Sequence, residues 1–194
     1  MALILASQSP RREQLLLTLG LDFTITGSAE VDEARILRET TGDLKDRLKH
    51  LALLKGQDAA AAHPDDIVLS ADTVVVINDE VLGKPRDVED ARQMLSRLSG
   101  RAHHVYTGVA VQRPATGYRE TGVESTRVTF NLVDSATIDR YIARAQPFDK
   151  AGSYAIQGLG SLLVRKIEGD YSNVVGLPLP LTARLLTGAG MVVL

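Results

Sequence analysis

The chain of 194 residues contains no cysteine, which excludes disulfides, thiolate metal sites and a cysteine nucleophile, and suits a reducing compartment. Carboxylates and histidines remain as the available metal ligands. Neither sign of charge prevails: 22 Lys and Arg face 24 Asp and Glu, a formal net charge of -2. No global positive field exists to hold a nucleic-acid backbone or an anionic membrane, so any basic site must be local. No apolar run approaches the ~20 residues needed to cross a bilayer. The opening MALILASQSPRR has no basic segment ahead of its short apolar run, unlike a secretory signal. Internal repeats and low-complexity tracts are also missing. These absences lead to the expectation of a soluble, cytoplasmic protein with no nucleic-acid or membrane partner.

What is present is a hydrophobic content of 44%, enough to bury a sizeable core in one domain over residues 1–194 or in two small lobes sharing a sheet. Leu3 to Ala6 reads as a strand, Ser-x-Ser-Pro as a polar loop, and Arg11 to Leu19 as a helix closed by Gly20. Phe23 to Thr26 alternates like a strand. An acidic loop from Ala29 to Ala34 leads to a long helix over Gly42 to Ala62, stopped by His63-Pro64. Ile67 to Ile77 is a β-branched run, and Asn78-Asp79 turns it into Glu80-Val81-Leu82. A helix over Asp87 to Leu98 precedes two long paired strands, His103 to Gln112 and Glu120 to Phe130. Ser135 to Arg144 reads as a serine-capped helix, Ala151 to Ile167 as glycine-punctuated and strand-rich, and Leu179 to Leu186 as a short closing helix begun by prolines. The alternation predicts a mixed α/β sheet with helices packed on it and a cleft at strand ends.

Several residues stand out against that background. Ser7, Ser9, Arg11 and Arg12 lie where a strand hands over to a helix, a place where hydroxyls, backbone N–H groups and guanidinium groups can cradle phosphates. The plainer alternative is that Ser9 caps the helix and the arginines are solvated. Asp72 lies within an apolar run, where an unpaired carboxylate costs several kcal/mol and so demands a cation, a metal or a hydrogen-bond donor; otherwise it serves a backbone bulge. Asp32 and Glu33 fall in a loop that is either a solvated acidic turn or a contributor to a cation site. Glu33 with Asp72 provides the one or two carboxylates that Mg²⁺ prefers. Lys84, in Gly83-Lys-Pro-Arg86, is presented by a fixed backbone as a phosphate ligand. Lys55 lies partly within an apolar helical stripe, needing an anionic partner unless it snorkels. Gln157 offers a donor and an acceptor to a base edge, or sits on a bulged strand. His50, His63, His103 and His104 show no ligand spacing such as HExxH and receive no ligand role.

Taken together, Leu5-Ala-Ser-Gln-Ser-Pro-Arg-Arg12, Ser70-Ala-Asp-Thr-Val74, Gly83-Lys-Pro-Arg86, Ser99-Gly100 with Tyr106-Thr-Gly108, Asp149-Lys-Ala-Gly-Ser-Tyr-Ala-Ile-Gln-Gly158 and Val175-Gly-Leu-Pro178 resemble the Maf family of septum-formation-inhibitor-like nucleotide pyrophosphatases. The resemblance implies an α/β fold with a mixed central sheet and an active-site cleft, similar to the inosine triphosphate pyrophosphatase fold, and commonly a homodimer. It implies hydrolysis of a nucleoside triphosphate to the monophosphate and pyrophosphate with Mg²⁺ or Mn²⁺. Asp72 matches the proton acceptor, Ser7, Arg12, Lys55 and Lys84 the phosphate site, and Glu33 with Asp72 the metal site. Arg11, Thr73 and Gln157 match the specificity positions of the branch acting on dTTP and UTP, whose pocket would also admit modified pyrimidine nucleotides. Ser70, where a glycine is frequent, is a minor departure. A nucleotide-binding regulator of septum formation without turnover is the alternative.

Overall fold

A computed structural model describes residues 1–193. The described strands form a mixed seven-stranded sheet in the order β2-β1-β3-β5-β6-β7, with β4 paired to β3. The chain divides into two compact units, one of residues 1–72, 107–124 and 176–194 and the other of residues 73–106 and 125–175. Strands β3 (Ile67–Ile77), β5 (Ala102–Arg113) and β6 (Tyr118–Phe130) run from one unit into the other.

In the first unit β1 (Leu3–Ala6) lies between β2 (Phe23–Thr26) and β3, parallel to both, with Leu3 opposite Phe23 on one side and Ile67 on the other. Alternation along the strands decides which residues meet which helices. Leu3, Leu5, Ile67, Leu69 and Ala71 point to one face and pack with Leu16 of α1 (Pro10–Leu17) and Leu181, Leu185 and Leu186 of α7 (Leu179–Gly188). Ile4, Ala6 and Val68 point to the other and pack with Ala59 and Ala60 of α3 (Leu44–Ala62). With both faces covered, β3 is apolar in nearly every position, as buried parallel strands are. The buried face of α3 is Leu48, Leu51, Ala52, Lys55, Gly56, Ala59 and Ala60, the three-and-four spacing of one helical stripe. One lysine therefore rides on an otherwise apolar seam.

Gly56 lets α3 lie close on the sheet. A Cβ there would come 2.6 Å from Ser70 Oγ and 2.8 Å from Gln112 Nε2. Ser70 is fully buried, and its hydroxyl donates to Ala52 O at 2.7 Å, so serine at this position ties helix to strand at no cost in unpaired polarity.

In the second unit β4 (Glu80–Leu82) pairs antiparallel with β3 across a turn whose two residues, Asn78 and Asp79, have φ of 51° and 62°, as a tight hairpin of this hand requires. Helix α4 (Val88–Leu98) is capped by Asp87, which accepts from the Asp90 N–H, and packs on α5 (Ser135–Ala145). Strand β7 (Val164–Glu168) runs antiparallel to β6.

Three local expectations are corrected. The acidic loop is partly helical: α2 spans Glu33–Glu39, because Asp32 accepts from the Arg35 N–H at 2.9 Å and Arg35 pairs with Glu39 one turn later. The cap of α5 is Asp134, with Ser135 the first helical residue. The segment 151–163 turns repeatedly and forms no strand. Gly152, Ser153 and Gly158 all have positive φ, and a Cβ on Gly160 would fall 1.7 Å from Ala155 O. Backbone that folds on itself this closely cannot extend. A further short helix, α6 (Tyr171–Val175), was not expected from the sequence.

Candidate active site

The first unit brings together six of the residues singled out in the sequence. Because Val68, Ser70 and Asp72 occupy alternate positions of β3, Asp72 faces α3, where Lys55 precedes the glycine that permits close packing. Lys55 Nζ donates to Asp72 Oδ1 and, at 2.6 Å, to Glu33 Oε1. The lysine and aspartate side chains are almost wholly buried, while that of Glu33 keeps 35% of its exposure. Glu33 reaches Lys55 because the Ala29 N–H donates to Lys55 O at 3.0 Å, while Arg47 of α3 donates to Leu37 O and holds the far end of α2. Lys55 is thus an ion-pair partner of both carboxylates rather than a snorkelling surface lysine.

Asp72 Oδ2 is buried without a hydrogen-bond partner. Burial pushes the carboxyl above the usual carboxylate range. Lys55 opposes that rise, Glu33 adds to it, and Arg12 opposes it. A carboxylate so placed holds a proton more readily than one in water, which is what a general base working near neutral pH requires.

Arg12 lies near this pair. Its Nε donates to Gly176 O at 2.8 Å, and Nη1 reaches Ser7 Oγ at 3.5 Å. Burial lowers its pKa; Asp72 pulls it back up, Arg11 lowers it and Glu33 raises it. The guanidinium is therefore oriented by a backbone carbonyl and held among charges of both signs. Ser7 is buried, its hydroxyl also accepting from the Ser9 N–H at 3.2 Å. Ser9 occupies the N-cap position of α1, but its side chain makes no capping hydrogen bond. The alternative that this motif is only a helix cap and two solvated arginines does not hold.

Thr73, Lys84 and Gln157 belong to the second unit. Lys84 and Gln157 are exposed, and their segments are tied together: the Gly152 N–H donates to Gly83 O at 3.0 Å. The loop before Gln157 is further anchored by Tyr154, whose hydroxyl meets His103 Nε2 at 2.8 Å, and by the Ala155 N–H, which donates to Tyr141 Oη at 3.3 Å. Phe130 completes an edge-to-face cluster with His103 and Tyr154. Sequence reading missed this support. An aromatic pair and a histidine spread over residues 103–154 carry no local signal.

Glu33 and Asp72 fit a divalent cation in donor type. Mg²⁺ takes one or two protein carboxylates and completes its shell with water and substrate phosphate, and Asp72 Oδ2 is an unused buried oxygen. Among the described residues no group of three or more His, Cys, Asp and Glu side chains is placed to hold a metal. Any cation here therefore needs oxygens from elsewhere. A surface concavity of about 350 Å³ on α2, lined by Asp32, Arg35, Ile36 and Glu39 among others, involves neither Lys55 nor Asp72.

A lysine held between the buried Asp72 and the partly exposed Glu33 on a mixed α/β scaffold, with an oriented arginine beside it, is a candidate site for phosphate chemistry. The family model described as Maf-like protein matches residues 2–189, and the chain belongs to that family. It is 49% identical over 189 residues to a dTTP/UTP pyrophosphatase of Myxococcus xanthus, covering 97% of this chain and 93% of that one. It is 47% identical over 184 residues to a dTTP/UTP pyrophosphatase of Halalkalibacterium halodurans, covering 95% and 94%. A third dTTP/UTP pyrophosphatase, from Deinococcus radiodurans, is 44% identical over 188 residues, covering 97% and 93%. Among solved structures, a dITP/XTP pyrophosphatase from Mycobacterium abscessus aligns with TM-score 0.41 and 15% identity over 67% of this chain and 73% of that one. The Staphylococcus aureus Ham1 protein aligns with TM-score 0.45 and 15% identity over 67% and 72%.

Proposed function

We propose that this protein is a nucleoside triphosphate diphosphatase that hydrolyses dTTP and UTP, and modified pyrimidine nucleotides that fit the same site, to the monophosphate and pyrophosphate. The observation that carries the reading is Asp72, a buried carboxylate with one oxygen on Lys55 and the other free, in a chain nearly half identical over its length to proteins named for that reaction.

In the reaction, a water oxygen attacks the α-phosphorus, the bond from that phosphorus to the bridging oxygen breaks, and pyrophosphate leaves. Asp72 Oδ2 accepts the proton that the water loses. Arg12, fixed by Gly176 O, and Ser7 bind phosphate oxygens and stabilise the charge that develops on them; Lys55 and Lys84 are assigned to the same task. Glu33 and Asp72 would hold a Mg²⁺ or Mn²⁺ ion, which would supply Lewis-acid polarisation of the phosphate. Arg11, Thr73 and Gln157 select the base, since hydrogen-bonding groups that the bound base covers penalise a base that leaves them unpaired.

No helix among the described residues is long and apolar enough to cross a membrane. A cytoplasmic location, a homodimeric state and the absence of a nucleic-acid partner are part of the proposal; the lack of a basic excess supports the last. The test is pyrophosphate release with Mg²⁺ or Mn²⁺ over dTTP, UTP, CTP, GTP, ATP, ITP and 7-methyl-GTP. Preferential release from dTTP and UTP is expected, and no release from any of them overturns the enzyme reading.

A further inference from the structure

Lys55 bridges the two carboxylates assigned above to a divalent cation. Its ammonium lies on both Glu33 and Asp72, while Asp72 Oδ2 remains buried and unpartnered. The backbone of Lys55 is held in place: the next residue, Gly56, fits against Ser70 with no room for a methyl, and Lys55 O accepts from the Ala29 N–H. The four-carbon side chain above that anchor is flexible, and its ammonium is a point charge that can change partners without a fixed fork geometry.

Charge balance states when it would change. Glu33 and Asp72 contribute two negative charges and Arg12 and Lys55 two positive ones, so this group sums to zero, and Arg11 adds a further positive charge beside Arg12. A dication entering alone would leave a large uncompensated positive charge at a buried site. A triphosphate entering with it supplies the missing negative charge and gives the lysine ammonium new oxygens to bind.

We propose that Lys55 is a resident counter-cation of the unliganded protein, surrendering the Glu33–Asp72 pair to a divalent metal only when a triphosphate draws its ammonium away, so that metal and nucleotide bind as one coupled event. The inference rests on the pyrophosphatase reading and adds to it a coupling between the two ligands. By reciprocity, the factor by which nucleotide tightens metal is the factor by which metal tightens nucleotide.

The experiment is Mn²⁺ titration followed by the electron paramagnetic resonance of the free ion. It uses the full chain alone, with saturating α,β-methylene-dTTP corrected for chelation by the analogue in buffer, and as Lys55→Met. The expected result is weak binding to the wild type alone, binding about tenfold or more tighter with the analogue, and comparably tightened binding to Lys55→Met without any nucleotide, a range usual for coupled sites. Lys55→Gln and the Mn²⁺-induced rise in Tm of each variant provide the same comparison if Lys55→Met folds poorly. Equal Mn²⁺ affinity of the wild type with and without analogue overturns the proposal, as does a folded Lys55 variant binding Mn²⁺ no better than wild type. Wild-type pyrophosphate release without this coupling sinks the inference alone; tight Mn²⁺ binding by Lys55→Met together with no release from any triphosphate by the wild type sinks the enzyme reading alone.

Discussion

Gly56 of α3 lies so close to Ser70 of β3 that a side-chain methyl on the glycine would come 2.6 Å from the serine hydroxyl. That contact sets how near α3 approaches the sheet, and so whether Lys55, the preceding residue, reaches Asp72, two positions beyond Ser70. Gly56→Ala is expected to destabilise the protein by about 1–3 kcal/mol, the usual cost of overpacking, and to lower pyrophosphate release by more than the loss of folded protein explains. Chemical denaturation and turnover measured on the same preparation check this; a destabilised variant with unchanged turnover per folded molecule would show that the close approach does not align the pair.

Asp72→Asn keeps the shape of the side chain and removes its capacity to accept a proton. Its kcat is expected to fall by about 10²–10⁴, the worth of a positioned general base, with circular dichroism unchanged. Wild-type-like turnover would rule out the assigned role.

Arg12 is oriented by donating Nε to Gly176 O while Nη1 faces Ser7 Oγ. A lysine cannot hold a carbonyl and present a planar pair of donors at once. Arg12→Lys is therefore expected to lower kcat/KM by about 10²-fold or more, within the range seen when one charge-stabilising donor is lost. Steady-state kinetics with dTTP decides it, and a loss under threefold would remove Arg12 from the phosphate site.

Burial, with a smaller contribution from His104, lowers the His103 pKa to about 4 from an ordinary value of 6.5. The unfolded chain thus binds the proton more readily, and stability is lost as pH falls from the unfolded value toward the folded one. Between about pH 7.5 and pH 5 this residue alone should cost about 2 kcal/mol of stability. His103→Gln should shrink the pH dependence of urea unfolding by that amount; an unaltered dependence would contradict the neutral, buried state of the ring.

The same histidine supports Tyr154 in the loop that leads to Gln157. Gln157→Glu is expected to change the ranking of bases in the triphosphate panel while leaving the unfolding free energy within about 0.5 kcal/mol of wild type, as surface substitutions generally do. An unchanged base profile would exclude Gln157 from base selection.

Much of this was legible in the chain. The β3 run and its Asn78-Asp79 turn follow from β-branched residues and turn chemistry, and Asp72 announced itself by being a carboxylate in an apolar stretch. Glu33 was harder. Only the Asp32 cap marks the start of α2, and a seven-residue helix without a buried residue leaves almost no periodic signal. The segment 151–163 reads as strand-rich because small residues next to aliphatic ones resemble a bulged strand, whereas Gly152, Ser153 and Gly158 have positive φ and Gly152 is held by Gly83 and Val75, both distant in sequence.

The sequence by itself determined the alternation of strands and helices, the stripe on α3 that includes Lys55, the isolation of Asp72 among apolar neighbours, and the family. Only the tertiary structure decided what Lys55 touches: one carboxylate 22 residues before it and another 17 residues after it. Periodicity says which side chains share a face, because that is fixed by the local backbone repeat. It does not say which face meets which. That is settled by close approach, here a glycine on α3 against a serine on β3, and by the need of a buried charge to find its partner.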